Sequence, residues 1–135
     1  MQEPMAVADT VARQVVDAAL AVHRVLGPGL LESVYEQCLA HELMLRGVAV
    51  RRQAVLPVTY RDLRIEGAFR VDLIADDQVI VEIKAVEHVM PVHSAQLLSY
   101  LKLSGLGIGL LINFNVPLLK QGIRRMVHSP GTWRP

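Results

Sequence analysis

Two apolar runs separated by a pair of aspartates constrain this chain more than any other feature. They are Ala68 to Ala75 and Gln78 to Val86, turning at Asp76-Asp77. Both alternate with period two and are rich in β-branched residues, the pattern of half-buried strands. Phe69, Val71, Leu73 and Ala75 are expected on one face, and Ala68, Arg70, Asp72 and Ile74 on the other. In the second run Val79, Val81, Ile83 and Ala85 share a face, and Ile80, Glu82 and Lys84 share the opposite one. Matching the apolar faces fixes the parity of the register, because a slip of one residue turns every side chain to the wrong side. Pairing Ala75 with Val79, Leu73 with Val81 and Val71 with Ile83 leaves the loop Asp76-Asp77-Gln78, an accepted hairpin length.

That register predicts Asp72 opposite Glu82 and Arg70 opposite Lys84. Directly opposed residues lie roughly 4.5–5.5 Å apart at Cβ, where like charges repel. With Ile74 and Ile80 beside them, the two carboxylates need a proton, a basic neighbour or a metal ion. Lys84 is one such neighbour, and an oxygen-rich acidic site suits Mg2+ or Mn2+. A Glu-x-Lys pair alone is a weak motif that a solvated face of ion pairs also explains. The opposed Asp72, inside two strongly apolar strands, favours a site.

The rest of the chain supplies a scaffold. Val7, Val11, Val15, Val22 and Leu26 recur at helical spacing over about residues 6–26, and Gly27-Pro28-Gly29 ends that helix. A second helix is expected over about 30–46, with Gly47 as its stop. Val48 to Val58 reads as a strand that Pro57 confines in part to an edge, and Tyr60 to Ile65 reverses around Arg61-Asp62. Pro91 opens a third helix to about Leu103, and Gly105 ends it. Gly107 to Phe114 is a buried strand, Ile123 to Val127 a shorter one, and residues 129–135 a loose tail. The predicted order is α-α-β-β-β-β-α-β-β: an α/β fold with a mixed central sheet flanked by helices, in a single domain over 1–135 with its core at about 10–128.

Composition narrows the function. One cysteine, Cys38, excludes a disulfide framework and a multi-cysteine zinc site. Aromatic residues are only 4%, against a base-stacking platform. The net charge of +1 hides a pattern: residues 71–90 carry five acids and one lysine, while 47–70 and 91–135 are net basic. An acidic segment between basic ones suits an acidic site flanked by phosphate-binding surface, although short windows also vary by chance. The N-terminus lacks a basic start followed by an apolar stretch, and no apolar run is long enough to span a bilayer, so a cytoplasmic protein without membrane contact is expected.

Other groups are candidates to converge on the acidic pair. Glu32 and Glu36 lie one turn apart on the second helix, with Tyr35 beside them. An acid in a first turn is also favoured by the helix dipole, and Glu36 also reads as solvent-facing. Gln96 and Tyr100 share a face of the third helix, with His93 one turn earlier; a polar helix face is the plainer account. His41, His88 and His93 have no common ligand spacing, and Cys38 reads as core.

Four stretches in order now resemble a known family. Gly29-Leu30-Leu31-Glu32-Ser33-Val34-Tyr35 resembles the signature of the GxxExxY proteins. Phe69-Arg70-Val71-Asp72-Leu73-Ile74, Val81-Glu82-Ile83-Lys84-Ala85 and Gln96-Leu97-Leu98-Ser99-Tyr100 continue that family's order over about residues 10–128. The family is similar to the PD-(D/E)XK nuclease superfamily, with its restriction-endonuclease-like fold, and the Gln96/Tyr100 pair resembles the QxxxY element of the RecB-type branch. Val71 stands where the superfamily name has proline. The resemblance implies a metal-dependent nuclease acting on DNA or RNA. Asp72, Glu82, the Ile83 carbonyl and Glu32 would hold Mg2+ or Mn2+, and Lys84 would position or activate water. Gln96 and Tyr100 would hold the substrate strand or orient Lys84.

Arg51, Arg52, Arg61, Arg64, Lys102, Lys120, Arg124 and Arg125 are candidate phosphate contacts, and nothing in the chain reads bases. Cutting both strands of a duplex favours a homodimer. The alternative is a catalytically silent nuclease-like module that binds nucleic acid or a protein partner. Hydrolysis of another phosphoester ranks last, because no nucleotide-binding loop is present.

Overall fold

The helical and strand periodicities place the elements within a few residues of where they occur. A computed structural model describes residues 4–129. In it the chain forms α1 (Pro4–Leu26), α2 (Glu32–Leu45), β1 (Val50–Tyr60), β2 (Leu63–Ala75) and β3 (Val79–Lys84). Then follow α3 (Pro91–Ser104), β4 (Ile108–Asn113), a 3-10 turn (Leu119–Gly122) and β5 (Ile123–Val127). Of the expected tail only Ser129 falls within the described residues.

The five strands lie in the order β1-β2-β3-β4-β5. All neighbours are antiparallel except β3 and β4, which α3 joins as a parallel crossover. The mixed sheet flanked by helices matches the expected fold class. The strand count before α3 does not: three strands occur where four were expected, because 60–65 and 68–75 belong largely to the single strand β2. Gly67 adopts φ +64°, and the β1–β2 register shifts between Leu56 and Val58, facing the Pro57 position. Glycine there bends the strand as a bulge instead of ending it. Proline at that point is tolerated because β1 is an edge strand.

Each face of the sheet has its own apolar layer. On one, Val15, Ala18, Leu39 and Leu43 of α1 and α2 pack on Leu73, Val81, Ile83 and Ile112. On the other, Leu97 and Leu101 of α3 pack on Ile74, Ile80 and Leu111. The expected shared face of Phe69, Val71, Leu73 and Ala75 is not kept. Leu73 and Ala75 pack with α1 and α2, whereas Val71 and Phe69 pack with the α3 layer. Alternation therefore breaks between Val71 and Leu73, at Asp72.

The turn between α1 and α2 explains part of the Gly-x-x-Glu-x-x-Tyr stretch. Gly27 and Gly29 take φ +69° and +96°, which glycine adopts freely. The Tyr35 hydroxyl donates to the Gly27 carbonyl at 2.6 Å and accepts from the Leu30 N–H at 3.1 Å. Its ring is fully buried and stacks on Phe114 with centroids 4.5 Å apart. Tyr35 thus staples the interhelical turn to the core.

Candidate functional site

The β2–β3 ladder has three rungs: Ala75–Val79, Ile74–Ile80 and Leu73–Val81. These agree with the sequence-derived register. The next rungs expected from it, Asp72–Glu82 and Val71–Ile83, are not made as backbone pairs. Side chains take over instead. The Ile83 N–H donates to Asp72 Oδ2 at 2.8 Å, and the Asp72 N–H points at Glu82 Oε1 at 3.4 Å. The strands have parted, and the two carboxylates fill the gap against backbone that the ladder would otherwise have used. Arg70, expected across from Lys84, makes no backbone pair with it; on the other edge of β2 it pairs with Val55 of β1.

Charge is concentrated in this gap. Glu82 is only 6% exposed, while Asp72 and Lys84 are half-buried. Burial, and then the neighbouring Asp72 charge, push the Glu82 carboxyl up from 4.5 to about 8. A hydrogen bond between the two side chains adds to the rise, while the Asp72 N–H and the Lys84 charge pull the other way. At neutral pH the pair therefore carries a proton on Glu82. Tyr100 belongs to the same surroundings. Burial raises its hydroxyl's pKa, and the charges of Glu82 and Asp72 raise it further. Its ring stacks on Phe69 with centroids 4.7 Å apart.

Of the residues singled out from sequence, Asp72, Glu82, Lys84 and Tyr100 thus come together around the end of β3. Gln96 sits on α3, exposed, one turn before Tyr100. Glu32 is the first residue of α2 and is exposed. Among the described residues no group of three or more His, Cys, Asp or Glu is placed to hold a metal ion.

Two residues that matter here take roles the sequence did not predict. Asn113, at the end of an apolar run, is buried. Its Oδ1 accepts from the N–H groups of Val86 and Asn115 at 3.1 and 3.2 Å, and its Nδ2 donates to the Val86 carbonyl at 2.9 Å. With Phe114 N–H donating to the Lys84 carbonyl at 2.9 Å, this fixes the chain as it leaves Lys84. Glu36, also read as solvent-facing, is 7% exposed and accepts from Arg52 and from Gln53. A buried acid at helical spacing from Leu39 and Leu43 was the available clue. Several candidate phosphate contacts are already engaged: Arg51 with Asp77, Arg52 with Glu36, Arg64 with Glu66 and Arg125 with Asp9. Among the described residues no helix is long and apolar enough to cross a membrane.

Residues 9–126 match the family model described as PD-(D/E)XK nuclease superfamily. Nucleases of that superfamily generally use divalent metals, and membership implies nucleic-acid binding. No curated protein and no solved structure matches the chain. The match covers both carboxylates, the lysine and every element of the sheet but the last residue of β5, and on that extent the chain belongs to the PD-(D/E)XK nuclease superfamily.

Proposed function

We propose that this chain is a divalent-metal nuclease of the GxxExxY type, hydrolysing phosphodiester bonds of DNA or RNA at the open end of the β2–β3 hairpin. The observation that carries the reading is the parted rung, where Asp72 and Glu82 meet beside Lys84. The donor set fits Mg2+ or Mn2+: two carboxylates, with the Ile83 carbonyl one residue beyond Glu82, are hard oxygen ligands. The proton held by Glu82 marks a negative charge that a cation would neutralise. When bound, a divalent ion supplies Lewis acidity toward the phosphoryl oxygen and lowers the pKa of attacking water. Lys84 contributes positive charge where negative charge grows on the phosphate, and positions the water. Tyr100, anchored by Phe69, forms one wall of the site, and Gln96 extends the same helix face toward the substrate strand. Base-specific contacts are not expected, and a two-fold dimer would place two sites on a duplex.

The test is calorimetric titration with Mn2+, followed by cleavage of single- and double-stranded DNA and RNA. Metal binding and cleavage that Lys84→Ala abolishes, in a protein with unchanged circular dichroism, support the reading. Absence of both across the panel overturns it. That no third His, Cys, Asp or Glu completes a metal-holding group among the described residues favours the second reading, a silent module that binds nucleic acid or a protein partner. That reading expects salt-dependent nucleic-acid binding, unaffected by Lys84→Ala, without cleavage.

A further inference from the structure

The break in alternation at Asp72 has a counterpart in β1. Arg52 pairs with Leu73 and Ala54 with Val71, so Gln53 is the residue between them, facing Asp72, and neither of these two makes a regular rung. Gln53 adopts φ +51°, in the left-handed region, inside a strand. A side chain other than glycine is held there only when its surroundings impose it. Consecutive strand residues normally point to opposite faces. Here Arg52 and Gln53 both reach Glu36 on α2. Arg52 donates from Nε and Nη2 at 3.2 and 3.0 Å, and Gln53 Nε2 donates at 2.5 Å. Beyond this point Ala54 and Val71 both face the α3 layer, whereas Leu73 on the near side faces α1 and α2. Both strands therefore change face at one shared position, and Asp72 is the β2 residue at which they do so.

The consequence is visible at Asp72 itself. Its carboxylate accepts the N–H of Ile83, a backbone group of the next strand. The side chain thus lies across the gap toward β3. From the β1 side, this shared position is engaged by the side-chain tie from Gln53 to the nearly buried carboxylate of Glu36.

We infer that Gln53 is a positioning residue: its amide, held by Glu36, fixes the face change in β1 and β2 that turns the Asp72 carboxylate toward Ile83. The inference rests on the proposed role of Asp72 as a metal ligand only for its functional consequence. The geometry it predicts is measurable without metal.

The experiment compares wild type, Gln53→Gly and the exchange Glu36→Gln with Gln53→Glu. Glycine accepts φ +51° freely, so Gln53→Gly deletes the tie without imposing backbone strain. The exchange keeps an amide–carboxylate hydrogen bond with its direction reversed and keeps the negative charge beside Arg52. Amide hydrogen exchange at Ile83 is read first, in metal-free protein, and Mn2+ affinity second. In Gln53→Gly, Ile83 exchange is expected to accelerate and Mn2+ affinity to fall about 10- to 100-fold, the usual cost of losing a group that orients a ligand. The exchange variant is expected to recover both. Wild-type Ile83 protection and Mn2+ affinity in Gln53→Gly would overturn the inference. A wild-type protein that does not bind Mn2+ would instead defeat the proposed function, and Ile83 exchange would still decide the role of Gln53.

Discussion

The β2–β3 hairpin is two structures in succession. Next to its turn, Leu73, Ala75, Val79 and Val81 pair in register, and their side chains are fully buried. One residue further, the same strands stop pairing, and carboxylates occupy the space between them. The first half is held by apolar burial and ladder hydrogen bonds, which reinforce one another. The second holds two like charges at close quarters, a burden on the folded state unless a proton or a cation is present. The difference teaches that the closed half holds the open half in place. Strands locked at Leu73–Val81 keep the two carboxylates close, and in the metal-free protein the repulsion is relieved by the proton on Glu82.

This comparison breaks first at Lys84. Lys84→Ala is expected to lower the cleavage rate about 10²–10³-fold, as loss of one group stabilising transition-state charge commonly does. Its thermal unfolding should stay at the wild-type temperature, because Lys84 is the half-buried last residue of β3. Single-turnover cleavage and a melting curve test both halves of that statement. Leu73→Ala should show the reverse pattern. Deleting a fully buried leucine should cost about 2–5 kcal/mol in denaturant unfolding, with loss of activity only as the fold is lost.

The proton on Glu82 sharpens the contrast. An unfolded glutamate ionises above about 4.5, whereas folded Glu82 keeps its proton to about 8. In metal-free protein its favourable contribution is complete below 4.5 and is lost as pH rises toward 8. Metal binding runs the other way, since the ligand must lose its proton. Mn2+ affinity should therefore climb with pH, by about tenfold per unit below that value for a single released proton. Calorimetry in buffers of different ionisation enthalpy counts that proton, and Glu82→Gln should flatten the stability profile. The smallest effect is expected at Glu32: Glu32→Gln should leave Mn2+ affinity at the wild-type level, because the residue is exposed at the start of α2 and no metal-holding group of three acids forms among the described residues. A large loss there would show that α2 moves toward the acidic pair when the ion binds.

Much of this was legible in the one-dimensional pattern. The hairpin register followed from matching apolar faces, and it held for every rung actually made. The helices followed from spacing and from the glycines and proline at their ends. The failures share a cause. Period-two reasoning assumes an unbroken strand, and at Gly67 and Gln53 the backbone enters positive φ. The glycine could be read as a bulge; a glutamine between Arg52 and Ala54 offers no such warning. Glu36 was missed because its partners are sixteen and seventeen positions away, in a different element.

The amino-acid order by itself determined which residues are strand, which helix, and that Asp72, Glu82 and Lys84 belong near one another, since each of these depends on local periodicity and a short hairpin. Only the tertiary structure decided that the ladder stops at Leu73, that Glu36 is buried on Arg52 and Gln53, and that Glu32 is exposed. Those outcomes depend on how a helix docks on a kinked sheet, where burial and charge are settled by distant neighbours that no local pattern contains.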